Sequence, residues 1–188
     1  MSILDIRVLG DPILRQATTP VAGMTDELRR LIADMFDTMH HARGIGLAAP
    51  QVGRTERLAI VEVDDDRFVL INPEIIDRNG RAKGEEGCLS IPDIYADVER
   101  PETVSVRALD ERFAPYEIEA SGLLARCIQH EIDHLDGKLF LDYLSVLKRA
   151  AALGKWKLEQ GKYPGYIRRV SRETPEELSE HEHPEEEL

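Results

Sequence analysis

The sequence has few cysteines and no long apolar run. Cys88 and Cys127 are the two cysteines among 188 residues, which is too few for a disulfide framework. No window comes near the roughly 18 consecutive apolar residues of a membrane span, and the N-terminus has neither a basic leader nor an apolar signal segment. These absences predict a folded cytoplasmic protein without a membrane partner.

The sequence also lacks a surplus of basic residues. Its formal net charge is -12 at pH 7, which argues against a DNA-binding surface that is basic overall. Eight Glu and no Lys or Arg lie in residues 173–188, so residues 1–172 carry only -4 of that charge. The length and this asymmetry predict a single domain over residues 1–172 followed by an acidic, disordered tail.

One segment, residues 146–172, has the opposite charge. It contains eight basic residues and one acidic residue, Glu159, which gives a charge of +7. Charge runs usually form a solvated face, and this interpretation stays open here. The alternative is a surface that contacts the phosphates of a nucleic acid.

Short runs rich in β-branched and apolar residues predict two pairs of strands. The runs are residues 58–63 with 68–71, and residues 104–109 with 116–120. Asn72 and Pro73 should close the first pair. Residues 80–101 mix glycine, proline and charged residues, a composition typical of connections.

Three segments show the apolar spacing of helices. The first should begin after the cap residue Thr25 and end near Gly44, and the second should extend from a Ser121 cap to Gly137. A third, basic helical segment is expected between residues 145 and 159. Strands followed by a helix favour an α+β fold.

The strongest motif is the run His130-Glu131-Ile132-Asp133-His134 in the second predicted helix. Histidines four positions apart lie about 40° apart around a helix and one turn apart along it, so both imidazoles can reach one cation. A separate polar side of this helix holds Arg126, Gln129, Asp133 and Asp136. A histidine pair that only packs is the alternative, so the motif favours a metal site without deciding it.

A catalytic site of this type needs a third protein ligand. Phe140 occupies the place of the third histidine of the metzincin pattern, and Glu159 stands in a Lys-rich segment without a supporting motif. Cys127 is too far along the helix from the expected ion and is predicted to be a buried packing thiol. Cys88 follows a glycine-containing run and, with the two histidines, completes a Cys-His-His set.

A second small-residue loop spans residues 44–53. Its start superficially fits a dinucleotide fingerprint, but that fingerprint needs a strand before it, and here a helix precedes it. We interpret Gly44, Ile45 and Gly46 as backbone that a peptide can approach closely, with Gln51 as an amide donor. An ordinary glycine-rich connection is the alternative.

Three segments, residues 44–51, 86–90 and 130–137, closely resemble the three signature motifs of the peptide deformylases. The resemblance covers residues 3–150. It implies an α+β fold in which antiparallel or mixed β-sheets enclose a central H-E-x-x-H helix, with an N-terminal and a C-terminal helix. It also implies removal of the N-formyl group from the initiator methionine of new bacterial or organellar proteins, releasing formate. The catalytic domain is expected to span residues 1–172.

The resemblance implies a metal centre as well. Its ligands would be Cys88, His130 and His134. Members of the family usually hold Fe(II) in the cell, with Zn, Ni or Co as substitutes, so one divalent ion is expected.

The resemblance further implies which groups act on the substrate. Glu131 would be the general acid and base, while Gln51 and the backbone N–H of Leu89 would donate hydrogen bonds to the oxyanion. The residues expected to contact the peptide are Gly44, Ile45, Gly46 and Gly87.

The expected partner is an N-formylmethionyl nascent peptide. Contact of the basic segment 146–172 with the ribosome is a hypothesis, and a solvated helix is its alternative. Two other functions stay open at this point. A general metallopeptidase would share the H-E-x-x-H motif, and cleavage of an internal bond in a blocked, unformylated peptide would identify it. A structural metal-binding protein would use four protein ligands with no open position, whereas the sequence offers three.

Overall fold

Residues 2–171, which the computed structural model describes, form three α-helices and nine β-strands. The helices are α1 (Asp26–His41), α2 (Gly122–Leu135) and α3 (Val146–Glu159). The strands are β1 (Ile6–Arg7), β2 (Gly46–Ala48), β3 (Leu58–Val63), β4 (Asp66–Asn79), β5 (Ala82–Cys88), β6 (Ile91–Arg100), β7 (Thr103–Leu109), β8 (Pro115–Ser121) and β9 (Ile167–Arg168). The tail predicted over residues 173–188 lies outside these residues.

The strands form three sheets, and all pairs between them are antiparallel. The largest sheet has the order β2-β3-β4-β7-β8, β5 pairs with β6, and β1 pairs with β9. This arrangement confirms the predicted α+β class, with antiparallel rather than mixed sheets. No helix within residues 2–171 combines the length and the apolar character needed to cross a membrane.

All three predicted helices are present, and local capping explains two of their starts. The Thr25 side chain accepts a hydrogen bond from the Leu28 backbone N–H at 3.1 Å, which satisfies a free donor at the start of α1. Ser145 caps α3 in the same way through the N–H of Lys148. Ser121 precedes α2 as expected, but its side chain makes no capping hydrogen bond.

The strand predictions need two corrections. Asn72 and Pro73 do not close the first hairpin, because β4 continues through them. A register shift between Ile71 and Glu74 accommodates them, and such an irregularity tolerates a proline without an N–H. The second correction concerns residues 80–101, which form the β5–β6 hairpin rather than a connection.

The sequence did not predict strand β5 because this strand contains glycines, and the structure explains their presence. An added Cβ at Gly87 would lie 2.6 Å from the Tyr95 ring, and one at Gly84 would lie 3.1 Å from the guanidinium of Arg126. Both positions therefore lack a side chain because a neighbouring large side chain fills the space.

Helix α2 contacts the five-stranded sheet and the β5–β6 sheet. Its apolar side packs on the five-stranded sheet through Ala125, Ile128, Ile132 and Leu135. Much of the polar side is buried too, since Gln129 is only 5% exposed and Asp133 only 9%. Gln129 donates to the carbonyl of Pro101, and Arg126 donates to the carbonyls of Ala82 and Val98 at 2.8 and 3.0 Å.

The C-terminal part of the chain returns to its beginning. Trp156 of α3 is buried and stacks on Tyr163 with 5.7 Å between the ring centroids. The chain then forms β9, in which Arg168 lies opposite Ile6 of β1. Residues near the two ends of the described chain are thus neighbours in one small sheet.

Candidate metal centre and active site

Three potential metal ligands come together between β5 and α2. Cys88 is the last residue of β5, and His130 and His134 lie one turn apart on α2. Their ligand atoms all lie within 4.8 Å of one another, and Cys88 Sγ is 3.3 Å from His134 Nε2. A thiolate with two imidazoles suits a divalent transition-metal ion. The group has three members within residues 2–171, the number typical of a catalytic site with an open position.

A buried carboxylate behind the first histidine fixes its ring. Glu86 Oε2 lies 3.0 Å from His130 Nδ1. Arg100 binds the same carboxylate with two donors at 2.5 and 2.9 Å, and Arg126 donates to it at 2.7 Å. Although burial by itself raises the pKa of Glu86, hydrogen bonds from Arg100 and His130 hold that pKa well below its ordinary value. The carboxylate is therefore ionised and orients His130 so that Nε2 is left for an ion.

The ionic network continues along α2. Arg100 Nη1 donates to Asp133 Oδ2 at 2.8 Å, and the Tyr143 hydroxyl donates to Asp133 Oδ1 at 2.9 Å. Sequence reasoning assigned no role to Glu86, Arg100 or Tyr143. Glu86 lay inside a recognised motif, which was the one available signal. Its arginine partner is 14 residues away in sequence and shows no motif of its own.

Glu131 is a buried carboxylate beside the ligand group. It is 4% exposed, and its Oε2 atom has no hydrogen-bond partner within the described residues. Burial raises the pKa of Glu131 to about 7. A carboxyl group with this pKa can both accept and return a proton near neutral pH.

Gly46 makes room for that carboxylate. A Cβ at this position would collide with Glu131 Oε1 and would lie 2.8 Å from Cys127 Sγ. Cys127 itself is buried, and its Sγ lies 3.4 Å from the Ile45 carbonyl. It lies outside the group of potential metal ligands and packs in the core, and burial raises the pKa of its thiol.

The side-chain amide of Gln51 is held in a fixed orientation beside Cys88. It lies in the short 3-10 helix Ala49–Val52, where its Oε1 accepts a hydrogen bond from the Ala48 N–H at 2.8 Å. This contact assigns Nε2 to the other side, where it donates to Ser90 Oγ at 3.2 Å and lies 3.7 Å from Cys88 Sγ. The amide donor is thus held next to a potential metal ligand.

A cavity of about 590 Å³ opens onto these groups. Its lining includes nine of the ten residues predicted from the sequence: Gly44, Ile45, Gly46, Gln51, Gly87, Cys88, Leu89, His130 and Glu131. The tenth, His134, is 1% exposed and lies behind them. The fold therefore gathers residues from three distant segments around one space large enough for a peptide terminus.

Comparison with known proteins decides the family. Residues 3–150 match the family model of polypeptide deformylase. The chain belongs to the peptide deformylase family. A peptide deformylase of Alkalilimnicola ehrlichii is 58% identical over 153 residues, which are 79% of this chain and 86% of that protein.

Solved peptide deformylase structures share the fold. The enzyme of Legionella pneumophila is 48% identical, with a TM-score of 0.81 over 87% of this chain and 100% of that one. The enzyme of Synechococcus elongatus in complex with actinonin is 49% identical, with a TM-score of 0.79 over 82% of this chain and 86% of that one.

Membership of the peptide deformylase family establishes the reaction class. The chain is a metal-dependent hydrolase that removes the N-formyl group from the initiator methionine of new proteins and releases formate. The family match favours this function over a general metallopeptidase or a structural metal-binding protein. The Cys88, His130 and His134 group can hold the metal that the family requires.

Proposed function

We propose that this peptide deformylase acts through Cys88, His130 and His134 as metal ligands and Glu131 as the proton carrier. The observation that supports this assignment best is the position of a buried, unpartnered carboxylate oxygen beside three potential ligands in one cavity. A buried oxygen without a hydrogen-bond partner lowers stability, and a catalytic role is a physical reason for the protein to keep one.

The proposed reaction assigns the proton transfers to Glu131. When bound, a divalent ion supplies Lewis-acid chemistry, since it lowers the pKa of water and polarises a carbonyl oxygen. Glu131 accepts the proton of the attacking water at Oε2 and later gives it to the methionine amine as the C–N bond breaks. Its burial suits this exchange because the charged and neutral forms are then close in free energy near pH 7.

Two donors stabilise the negative charge that develops on the formyl oxygen. Gln51 offers its Nε2 amide, already oriented by the Ala48 N–H, and Leu89 offers its backbone N–H. The peptide lies along the backbone of Gly44, Ile45, Gly46 and Gly87, where main-chain hydrogen bonds accept any sequence.

We propose Fe(II) as the physiological metal, with Zn, Ni or Co able to replace it. The thiolate of Cys88 and Fe(II) are both oxidisable, so activity of the iron form should fall in air and recover with Ni or Co. Metal analysis of protein purified without oxygen, followed by a formate-release assay before and after exposure to air, tests this assignment. Oxygen-insensitive activity of an iron-loaded sample would contradict it.

Glu131→Ala tests the proton carrier. The variant should bind metal as the natural protein does, because all three ligands are present, but release very little formate from a formyl-Met peptide. A parallel assay for newly formed amino groups should show no cleavage of a blocked, unformylated peptide by the natural protein. Near-normal formate release by the metal-loaded variant would refute the role of Glu131.

We also propose that the enzyme works in the bacterial cytoplasm and contacts the ribosome through the basic segment 146–172. The exposed cations Lys148, Lys155 and Lys157 on α3 form no ion pair within residues 2–171. By contrast, Arg149 pairs with Asp142 at 3.4 Å, and Lys162 pairs with Glu159. The free lysines are therefore the candidate phosphate contacts.

Co-sedimentation with ribosomes at low and high salt tests this contact. Replacing Lys148, Lys155 and Lys157 by Glu should abolish salt-sensitive binding while formate release from a short peptide persists. Equal ribosome binding by the natural protein and the triple variant would leave a solvated basic face as the explanation.

A further inference from the structure

Arg168 reaches the active-site cavity from a part of the chain that lies beyond the family match. The match ends at residue 150, whereas Arg168 belongs to β9. Its Nη1 atom donates to the Leu89 carbonyl at 3.1 Å, and the side chain lines the same cavity as Cys88 and Glu131. Strand β9 therefore contributes Arg168 to the lining of the cavity.

Several contacts hold this segment against the N-terminal arm. The carbonyl of Tyr166 accepts a hydrogen bond from the Val8 N–H at 2.9 Å, just before the β1–β9 pair. The Tyr166 ring covers Gly10, whose φ is +116° and where an added Cβ would collide with the ring. These contacts place Arg168 before any substrate arrives, which reduces the entropy lost on binding.

Within residues 2–171, the charge of Arg168 is not neutralised by a carboxylate. No carboxylate within residues 2–171 lies at ion-pair distance from its guanidinium. Glu85 and Asp93 also line the cavity, but neither pairs with Arg168. A guanidinium has five N–H donors, so the single contact with Leu89 leaves donors for a carboxylate.

Leu89 directly follows the metal ligand Cys88, so Arg168 touches the backbone one residue from the reaction centre. The formyl group must reach the Cys88 group, and consecutive Cα atoms of the peptide are about 3.8 Å apart. The residues after the methionine are therefore within a few Cα spacings of the cavity lining to which Arg168 belongs.

We propose that Arg168 is a specificity-determining residue that favours formylmethionyl peptides with a carboxylate side chain shortly after the methionine. This inference rests on the proposed function of the cavity. Arg168 acts by charge-assisted hydrogen bonding to the substrate, and the Leu89 carbonyl keeps its guanidinium in place.

Pairs of C-terminally amidated formyl-Met peptides test the proposal. Each pair carries Glu or Gln at the first or second position after methionine, and kcat/KM is measured at low and high salt. The natural protein should prefer Glu about threefold to fivefold at low salt, as for a partly exposed ion pair, and less at high salt. A free-acid peptide in parallel shows whether a terminal carboxylate is recognised as well.

Variants of two neighbouring arginines identify the residue responsible. Arg168→Met should reduce the Glu-to-Gln ratio of kcat/KM to about one, and Arg168→Lys should keep part of it. Arg169→Met removes an equal charge at the next, exposed position and should keep the full ratio. The ratio is independent of any change in overall activity that follows from the contact with Leu89.

Different outcomes contradict different claims. An equal ratio in the natural protein and Arg168→Met, or an equal loss in Arg169→Met, would overturn the role of Arg168. Formate release from all peptides without any charge preference would also overturn the role of Arg168, but it would leave the proposed function intact. Absence of formate release from every peptide would instead refute the proposed function. If Arg168→Met does not fold, Arg168→Lys and the salt dependence of the natural protein decide.

Discussion

Glu86→Gln tests the buried ionic network behind the metal centre. The Glu86 side chain is 4% exposed and accepts hydrogen bonds from Arg100 and Arg126 as well as facing His130. Gln has nearly the same shape but no charge, and its amide group places N–H donors against arginine donors. The substitution therefore leaves buried cationic charge without its main partner.

The expected loss follows from the burial of these groups. Breaking a buried ion pair costs about 3 to 5 kcal/mol of unfolding free energy, and Gln retains one acceptor, so we expect about 3 kcal/mol. For a domain of this size that corresponds to a melting temperature lower by about 6 to 12 °C. Loss of the carboxylate behind His130 should also weaken metal binding by about 10- to 100-fold.

Urea unfolding in the presence of a chelator measures the first effect without a contribution from the metal. Competition with a chromophoric chelator measures the second effect. Glu85→Gln is the matched control, because Glu85 is the adjacent, exposed glutamate of β5 and should change neither quantity appreciably. A Glu86→Gln variant as stable as the Glu85→Gln control would show that the network contributes far less than its burial implies.

Three further substitutions probe the site and its support. Gln51→Ala should lower kcat by about 10² to 10³-fold with little change in KM if the amide stabilises transition-state charge as proposed, and an effect confined to KM would contradict this role. Gly46→Ala should displace the Glu131 carboxylate and lower kcat by about 100-fold while metal content stays normal; unchanged kcat would show that the site adapts. Gly137→Ala should lower the free energy of unfolding in urea by about 2 kcal/mol or more, because φ is +70° and the new Cβ would lie 2.7 Å from the Arg15 carbonyl oxygen. An unchanged free energy of unfolding would indicate that the backbone adjusts.

The elements with strong local signals could be predicted from the sequence. The three helices, the strand pair of β7 and β8 and the start of the first hairpin have clear caps or clear apolar patterns. The β5–β6 hairpin could not be recognised in this way. Its glycines are determined by side chains such as Tyr95 and Arg126 that are distant in the sequence or lie on the partner strand.

The same limit applies to the site. The two histidines and Glu131 form a local pattern on one helix, so the sequence alone shows them. The position of Asp133 on the polar side of that helix was also visible, but its burial depends on Arg100, which lies 33 residues away. Long-range ion pairs have no periodicity, and this is why the supporting network was found only in the structure.

The pairing of β1 with β9 should allow the segment that carries Arg168 to open locally while the rest of the domain stays folded. Closing a loop of about 160 residues costs several kcal/mol of chain entropy, more than a two-residue strand pair can offset. Once Trp156 has docked, however, only about ten residues are left to close, so we expect the pair to form late and at little entropic cost. Amide hydrogens of β9 should then exchange with solvent through local opening, far faster than those of the central sheet. In each such opening Arg168 should leave the cavity while the proposed metal ligands on α2 and β5 stay in place.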